Sequence, residues 1–167
     1  MNRYTLWYSR LVWTGIAVNI LFVIPLALHP GWFLRLLKIP LDQLIWGQTG
    51  AMTLFIITVF YIPGAMDSTR YRLVAWMHVF PARICGGTFF LVAVLFFGQP
   101  LGFLSIAVVD TFFGLTTLYC LVQMTREEAR KSRQSMEREM VIPLQWSKWL
   151  AIVTILMLLM LIFGLMQ

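Results

Sequence analysis

The sequence predicts an all-α membrane protein: a four-helix transmembrane bundle plus a fifth C-terminal transmembrane helix. Three observations carry that prediction. Of 167 residues, 60% are hydrophobic and the mean hydropathy is +0.80, more apolar surface than a soluble domain of this size can hide. Only 12% of residues are charged, and they cluster between apolar runs of roughly 20 residues, the length at which a helix crosses a bilayer. The basic residues also divide unequally between the two sets of connecting segments, as membrane topology requires. The resulting organisation is a four-span bundle over residues 1–123, a charged cytoplasmic helical segment over 124–144, and the fifth span over 145–167.

Residues 1–10 are short and basic, with Arg3 and Arg10 beside Trp7 and Tyr8. Span one follows, about Leu11 to Leu28. A basic start ahead of an apolar run also fits a secretory leader, but the run is long for that role, so a retained span is expected. Asn19 is its one strongly polar residue and is placed to hydrogen-bond a neighbouring helix. His29-Pro30-Gly31-Trp32 ends the span. Residues 32–44 then mix Arg35, Lys38 and Asp42 with Phe33, Leu34, Leu36 and Leu37, the pattern of a short interfacial helix stopped by Pro40.

Span two runs from about Ile45 to Pro63, with a small-residue face of Gly47, Gly50 and Ala51 that favours close helix contact. Gly64 to Arg72 reads as a tight polar loop. Span three covers about Leu73 to Phe97 and carries Pro81, which removes a backbone donor and frees a carbonyl near Met77; Arg83 is a candidate partner for it. The turn Gly98-Gln99-Pro100 leads to span four, about Leu101 to Gln123. Met124 to Glu139 has good helix formers and a favourable Glu127–Lys131 spacing, so span four is expected to continue as a helix until Pro143. The run from about Trp146 to Met166 is almost purely Leu, Ile and Met, an anchor rather than a site of chemistry.

With the amino terminus in the cytoplasm, ten basic residues fall on the inner side: Arg3, Arg10, Arg70, Arg72, Arg126, Arg130, Lys131, Arg133, Arg138 and Lys148. Arg35 and Lys38 alone fall outside. Five spans then leave the carboxyl terminus outside. The net charge of +6 is explained by this asymmetry and is no nucleic-acid footprint. The tryptophans agree, with Trp7, Trp13, Trp76, Trp146 and Trp149 at the inner interface and Trp32 and Trp46 at the outer.

Chemistry centres on the hairpin of spans three and four, because each carries an ionisable residue deep in its apolar run: Arg83 and Asp110. A charge at that depth costs several kcal/mol unless it is paired or reaches water. Counted from Gln99, their depths differ by roughly 7–8 Å at about 1.5 Å per residue, within reach of an arginine. A direct or water-mediated Arg83–Asp110 interaction is therefore expected. It serves either to fix helix register or to line a polar pocket; separate partners for the two residues are the remaining possibility. Such a pocket would gather Asn19, Arg83, Asp110 and Thr111 between Phe89, Phe90, Phe112 and Phe113, an apolar site with a few polar groups suited to a quinone or a small apolar ligand.

Other chemistries are poorly represented. His29 and His78 lie roughly a bilayer apart, so they cannot share one haem within the chain; His78 with a ligand from a partner stays open. No metal-ligand spacing occurs inside a span, and Cys85 and Cys120 read as small apolar residues. No catalytic triad, phosphate loop or paired catalytic carboxylates is present, so no enzyme activity of the chain alone is implied. Internal repeats typical of transporters are also missing.

Residues 11–123 resemble the DoxX-like group of small bacterial four-helix membrane proteins. The shared pattern is the Pro that ends span one within His29-Pro30-Gly31-Trp32, Trp46-x-x-x-Gly50, the loop Asp67-x-x-Arg70-Tyr71, Arg83-x-x-Gly86, and Asp110 within span four. The resemblance implies a four-helix bundle in a bacterial inner membrane, and some members of the group are quinone-linked subunits of redox complexes. The charged segment and fifth span depart from the pattern and point to an added attachment role. The expected function is a non-catalytic integral subunit or accessory protein of a larger inner-membrane complex. Its partners are the lipid bilayer and other membrane subunits, or copies of itself. The alternative is a quinone- or small-apolar-ligand-binding redox subunit with its site near Arg83 and Asp110.

Overall fold

The computed structural model describes residues 3–133. The rest of the charged segment and the expected fifth span over 145–167 lie outside the described residues. Five helices follow in order: α1 (Arg3–Leu28), α2 (Pro30–Leu36), α3 (Leu44–Met66), α4 (Arg72–Phe97) and α5 (Phe103–Arg133). The described residues form no strand. Every helix but α2 has the length and hydropathy needed to cross a membrane.

The four long helices run antiparallel in sequence. α1 packs along α3 and α5, and α4 packs along α5 and, at its start, against α3. One end of the bundle gathers the start of α1, the loop after α3 and the extended end of α5. There Ser9 Oγ donates to the Ala65 carbonyl at 2.6 Å, Tyr8 Oη donates to the Ala75 carbonyl at 3.3 Å, and Arg72 pairs with Glu128. The densest core lies in this amino-terminal half: Tyr8, Val12, Tyr61, Val79, Leu121 and Met124 are buried together. Leu21, Phe60, Leu95, Phe96 and Val108 point outward. In water such a surface is an aggregation liability; in a bilayer it is the lipid-facing belt.

Element boundaries depart from the sequence expectation in three places. α1 begins at Arg3, because nothing in the basic start opposes helix and Tyr8 already belongs to the core. α3 continues through Pro63 to Met66. A proline in a last turn forfeits only one helical bond, and the Pro63 carbonyl still accepts from the Asp67 N–H at 3.0 Å. Pro40 does not stop α2. The helix ends at Leu36, followed by Lys38 at φ +56°, while Ile39 turns inward and is buried.

The other end is closed by tight contacts. A Cβ on Gly47 would lie 2.6 Å from Pro30 Cβ, so the small residue admits the start of α2. Gly98 caps α4 at φ +63°, the left-handed region that glycine enters without steric cost. Pro81 sits inside a π-helical stretch, His78–Ile84, within α4. That wider turn moves the carbonyl one turn back away from the proline ring, which explains why α4 continues past a residue that breaks α-helices.

α4 and α5 approach most closely at Gly87, where a Cβ would lie 2.7 Å from Thr111 Oγ1 and 3.2 Å from the Ala107 carbonyl oxygen. Gly87→Ala should cost about 1–3 kcal/mol by overpacking, whereas Gly50→Ala, which meets only Leu26 at 3.8 Å, should be near neutral. Thermal unfolding of the two variants in detergent or lipid discs checks the contrast.

Candidate functional site

Arg83 is brought inward by the π-helical stretch and is 3% exposed. Gly114 of α5 packs directly against it, with a would-be Cβ 3.2 Å from Arg83 Cβ. Asp110 lies one turn earlier on α5, about 6 Å away along the axis, and the arginine stem spans that offset. Arg83 Nη1 donates to Asp110 Oδ1 at 2.6 Å. The bond is direct, with no need for a bridging water.

The other terminal nitrogen turns to α1. Arg83 Nη2 donates to Asn19 Oδ1 at 3.0 Å and approaches the Gly15 carbonyl at 3.5 Å. Gly15 makes room: a Cβ there would sit 3.2 Å from Nη2. Asn19 passes the connection on, its Nδ2 donating to Thr58 Oγ1 at 2.9 Å, and the Thr58 hydroxyl donates to the Leu54 carbonyl at 2.6 Å. The guanidinium also lies 5.5 Å from the ring centres of both Tyr61 and Phe113, within cation–π range. One side chain thus ties α4 to α5 by an ion pair and to α1 by hydrogen bonds. Asn19 extends the tie to α3, so all four long helices meet at this point.

Of the four pocket residues expected from the sequence, Asn19, Arg83 and Asp110 come together. Thr111 does not. It is exposed on α5, where its hydroxyl faces the Gly87 contact rather than the guanidinium. Of the four expected phenylalanine walls only Phe113 stands against Arg83. Phe112 is 57% exposed, Phe89 meets Phe90 edge to face, and Phe90 stacks on Phe103. Nor does the guanidinium turn back to the carbonyl freed by Pro81, since Asp110, Asn19 and Gly15 occupy its terminal nitrogens. Thr58 and Tyr61 complete the site and were not singled out from sequence. Thr58 is polar and lies inside an apolar span, which is the signal that marks it; Tyr61, close to the end of its span, carries no such signal.

His78 is buried between aromatic rings, edge-on to Tyr61 at 4.3 Å and to Tyr8 at 6.3 Å between centroids. Its two nitrogens and Arg83 Nε have no hydrogen-bond partner among the described residues. It does not face the lipid side, where a partner's haem would have to reach it, and His29 is exposed at the opposite end of the bundle. Among the described residues no three His, Cys, Asp or Glu side chains converge.

Asp110 is the open member of the cluster. Its side chain is 16% exposed, and a Cβ on Gly86 would lie 3.0 Å from Oδ2. The glycine therefore leaves one carboxylate oxygen reachable from the outer face of the α4–α5 pair. Chemically, the cluster can brace the bundle, and through Oδ2 it can accept a hydrogen bond from outside. Comparison with protein-family models, with curated proteins and with solved structures gives no match.

Asn19→Leu strips Arg83 Nη2 and Thr58 of a shared partner and should destabilise the bundle by about 1–3 kcal/mol. Thr111→Val should change stability by less than about 0.5 kcal/mol. Equal losses in a chemical-denaturation series would place Thr111 in the network after all.

Proposed function

We propose that this protein is a non-catalytic integral subunit or accessory protein of a larger bacterial inner-membrane complex. The observation that carries the reading is the near-closure of the polar network. Both terminal nitrogens of Arg83 find partners within the chain and, through Asn19, link four helices, which is the arrangement of a brace rather than of a vacant binding pocket. An ion pair of this kind fixes register and partner choice, while a well-packed apolar substitute is often as stable. The broad apolar surface supports the same reading, since packing against other spans proceeds through such faces.

The proposed orientation places the amino-terminal end of the bundle in the cytoplasm. Arg3, Arg10, Arg70, Arg72, Arg126 and Arg130 belong to segments at that end, and Arg35 and Lys38 to the connector at the other. That distribution follows the positive-inside rule. The kinship with DoxX-like proteins belongs to the same proposal and rests on the motifs quoted above.

A second reading is favoured by one observation, the exposure of Asp110 beside Gly86. A carboxylate oxygen facing hydrocarbon needs a donor, and a quinol hydroxyl or another small apolar ligand with a hydroxyl would supply it.

Arg83→Leu or Asp110→Leu each leaves a buried partner uncompensated and should cost about 3–5 kcal/mol, with loss of assembled complex. The double replacement by leucines should recover most of that loss. Co-purification of partner chains and unfolding of the four proteins measure this cycle, and a double variant as damaged as the singles would sink the brace reading. Asp110→Asn separates the readings: a quinone that co-purifies with the parent protein and leaves an intact variant favours the ligand site.

A further inference from the structure

A groove of about 540 Å³ opens between α1 and α5 at the amino-terminal end, away from the Arg83 cluster. Its lining changes along the helix axis. Arg3, Tyr4 and Tyr119 line its mouth, the end where α1 starts, and Trp7, Leu11 and Leu115 line it further along the helices. From Arg3 to Leu11 is eight residues, or about 12 Å along the helix. The mouth is held in shape: Arg3 Nη2 donates to Tyr4 Oη at 2.9 Å, its guanidinium lies 4.9 Å from the Tyr4 ring centre, and the Tyr4 and Tyr119 rings meet edge to face at 6.2 Å. The polar group in the groove wall is already used, since the Thr116 hydroxyl donates back to the Phe112 carbonyl at 2.7 Å. The groove is therefore cationic and phenolic at its mouth and mainly apolar further along.

We propose that this groove binds one anionic phospholipid, with its phosphate at Arg3 and an acyl chain between Leu11 and Leu115. Charge complementarity selects the occupant. Among the described residues, the segments at this end carry seven arginines and Lys131 against Asp67, Glu127 and Glu128, and Arg72 is already paired with Glu128. Arg3 is exposed, so an incoming phosphate reaches it without displacing a buried partner. Glu127 acts on Arg3 electrostatically and competes with a phosphate for it. Basic pockets between helices on the cytoplasmic side are suited to anionic headgroups, and aromatic residues are favoured at headgroup depth. The proposal rests on the bundle lying in a bilayer with this end cytoplasmic, but not on the subunit role.

The test uses the full chain reconstituted into vesicles of equal phosphatidylglycerol and phosphatidylcholine. The protein is withdrawn in polymer-bounded lipid particles, mildly delipidated, and the retained lipid is quantified by mass spectrometry. Retained phosphatidylglycerol should exceed phosphatidylcholine by about fivefold, the effect of one basic contact near the surface. Arg3→Gln should bring the ratio close to one, and Glu127→Gln should raise it. Thr116→Phe, which fills the groove, should release lipid of both kinds. Arg70→Gln, an exposed arginine in the loop after α3, should leave the ratio unchanged and serves as the control. Equal retention of the two lipids by the parent protein overturns the proposal. So does an Arg70→Gln loss as large as that of Arg3→Gln, which would show a diffuse basic field. A Thr116→Phe protein that keeps its lipid overturns it too, as does one whose particle mass halves, which would assign the groove to a second copy of the chain.

Discussion

The structure depends on one electrostatic problem: a guanidinium, permanently charged, placed inside an apolar bundle. Moving an ion from water to such surroundings costs several kcal/mol even after relaxation, so the partners must be built in before the helices can close. Asp110 supplies the opposite charge, Asn19 and Gly15 supply oxygen atoms, and the rings of Tyr61 and Phe113 supply their negative faces. Each of these comes with a packing condition. Gly15 and Gly114 must lack side chains for the arginine to lie where it does, and Asn19 must be held by Thr58 to present its oxygen. The geometry of all four long helices is therefore constrained by the needs of a single side chain.

That constraint also accounts for the uneven packing. The amino-terminal half is filled by interlocking aromatic and aliphatic residues, with His78 set among Tyr8 and Tyr61. The opposite half relies on a close backbone approach at Gly87, on the room Gly47 leaves for Pro30, and on the short helix α2. Between helices in lipid there is little hydrophobic drive, so small residues and interhelical hydrogen bonds do the joining. Both devices meet at the Arg83 level, where the glycines bring the backbones together and the polar groups join them.

Much of this was legible in the sequence, for a specific reason in each case. Long apolar runs separated by charged turns identify the four long helices, and the rarity of charge at depth identifies Arg83 and Asp110. Asn19 stood out as the lone strongly polar residue of its span. Lateral placement was not legible. Thr111 follows Asp110 directly, but adjacent residues on a helix point about 100° apart, so it faces Gly87 instead of the guanidinium. The same rotation separates Phe113, against Arg83, from Phe112 on the outside. Thr58 required knowing which turn of α3 lies beside Asn19, and that register is set by packing of the folded helices. Pro81 was legible as an interruption, but its accommodation by a wider turn was not, because the freed carbonyl had several conceivable remedies.

The wider turn has a further effect on which face of α4 looks inward. Ala75 and Gly87 are both buried, yet they are twelve residues apart, a separation that leaves them about 120° out of phase on an unbroken α-helix. A π turn holds one extra residue, which returns the phase to within about 20°. Without that extra residue, the buried stripe that passes through Ala75 and Val79 would continue to Ala82 and Gly86, leaving position 83 at its margin, about 80° from Ala75, and Gly87 further off. The His78–Ile84 segment thus works as a phase adjuster, turning the second half of α4 so that Arg83 and Gly87 move toward the middle of its buried stripe, while Ala82 still packs against the core.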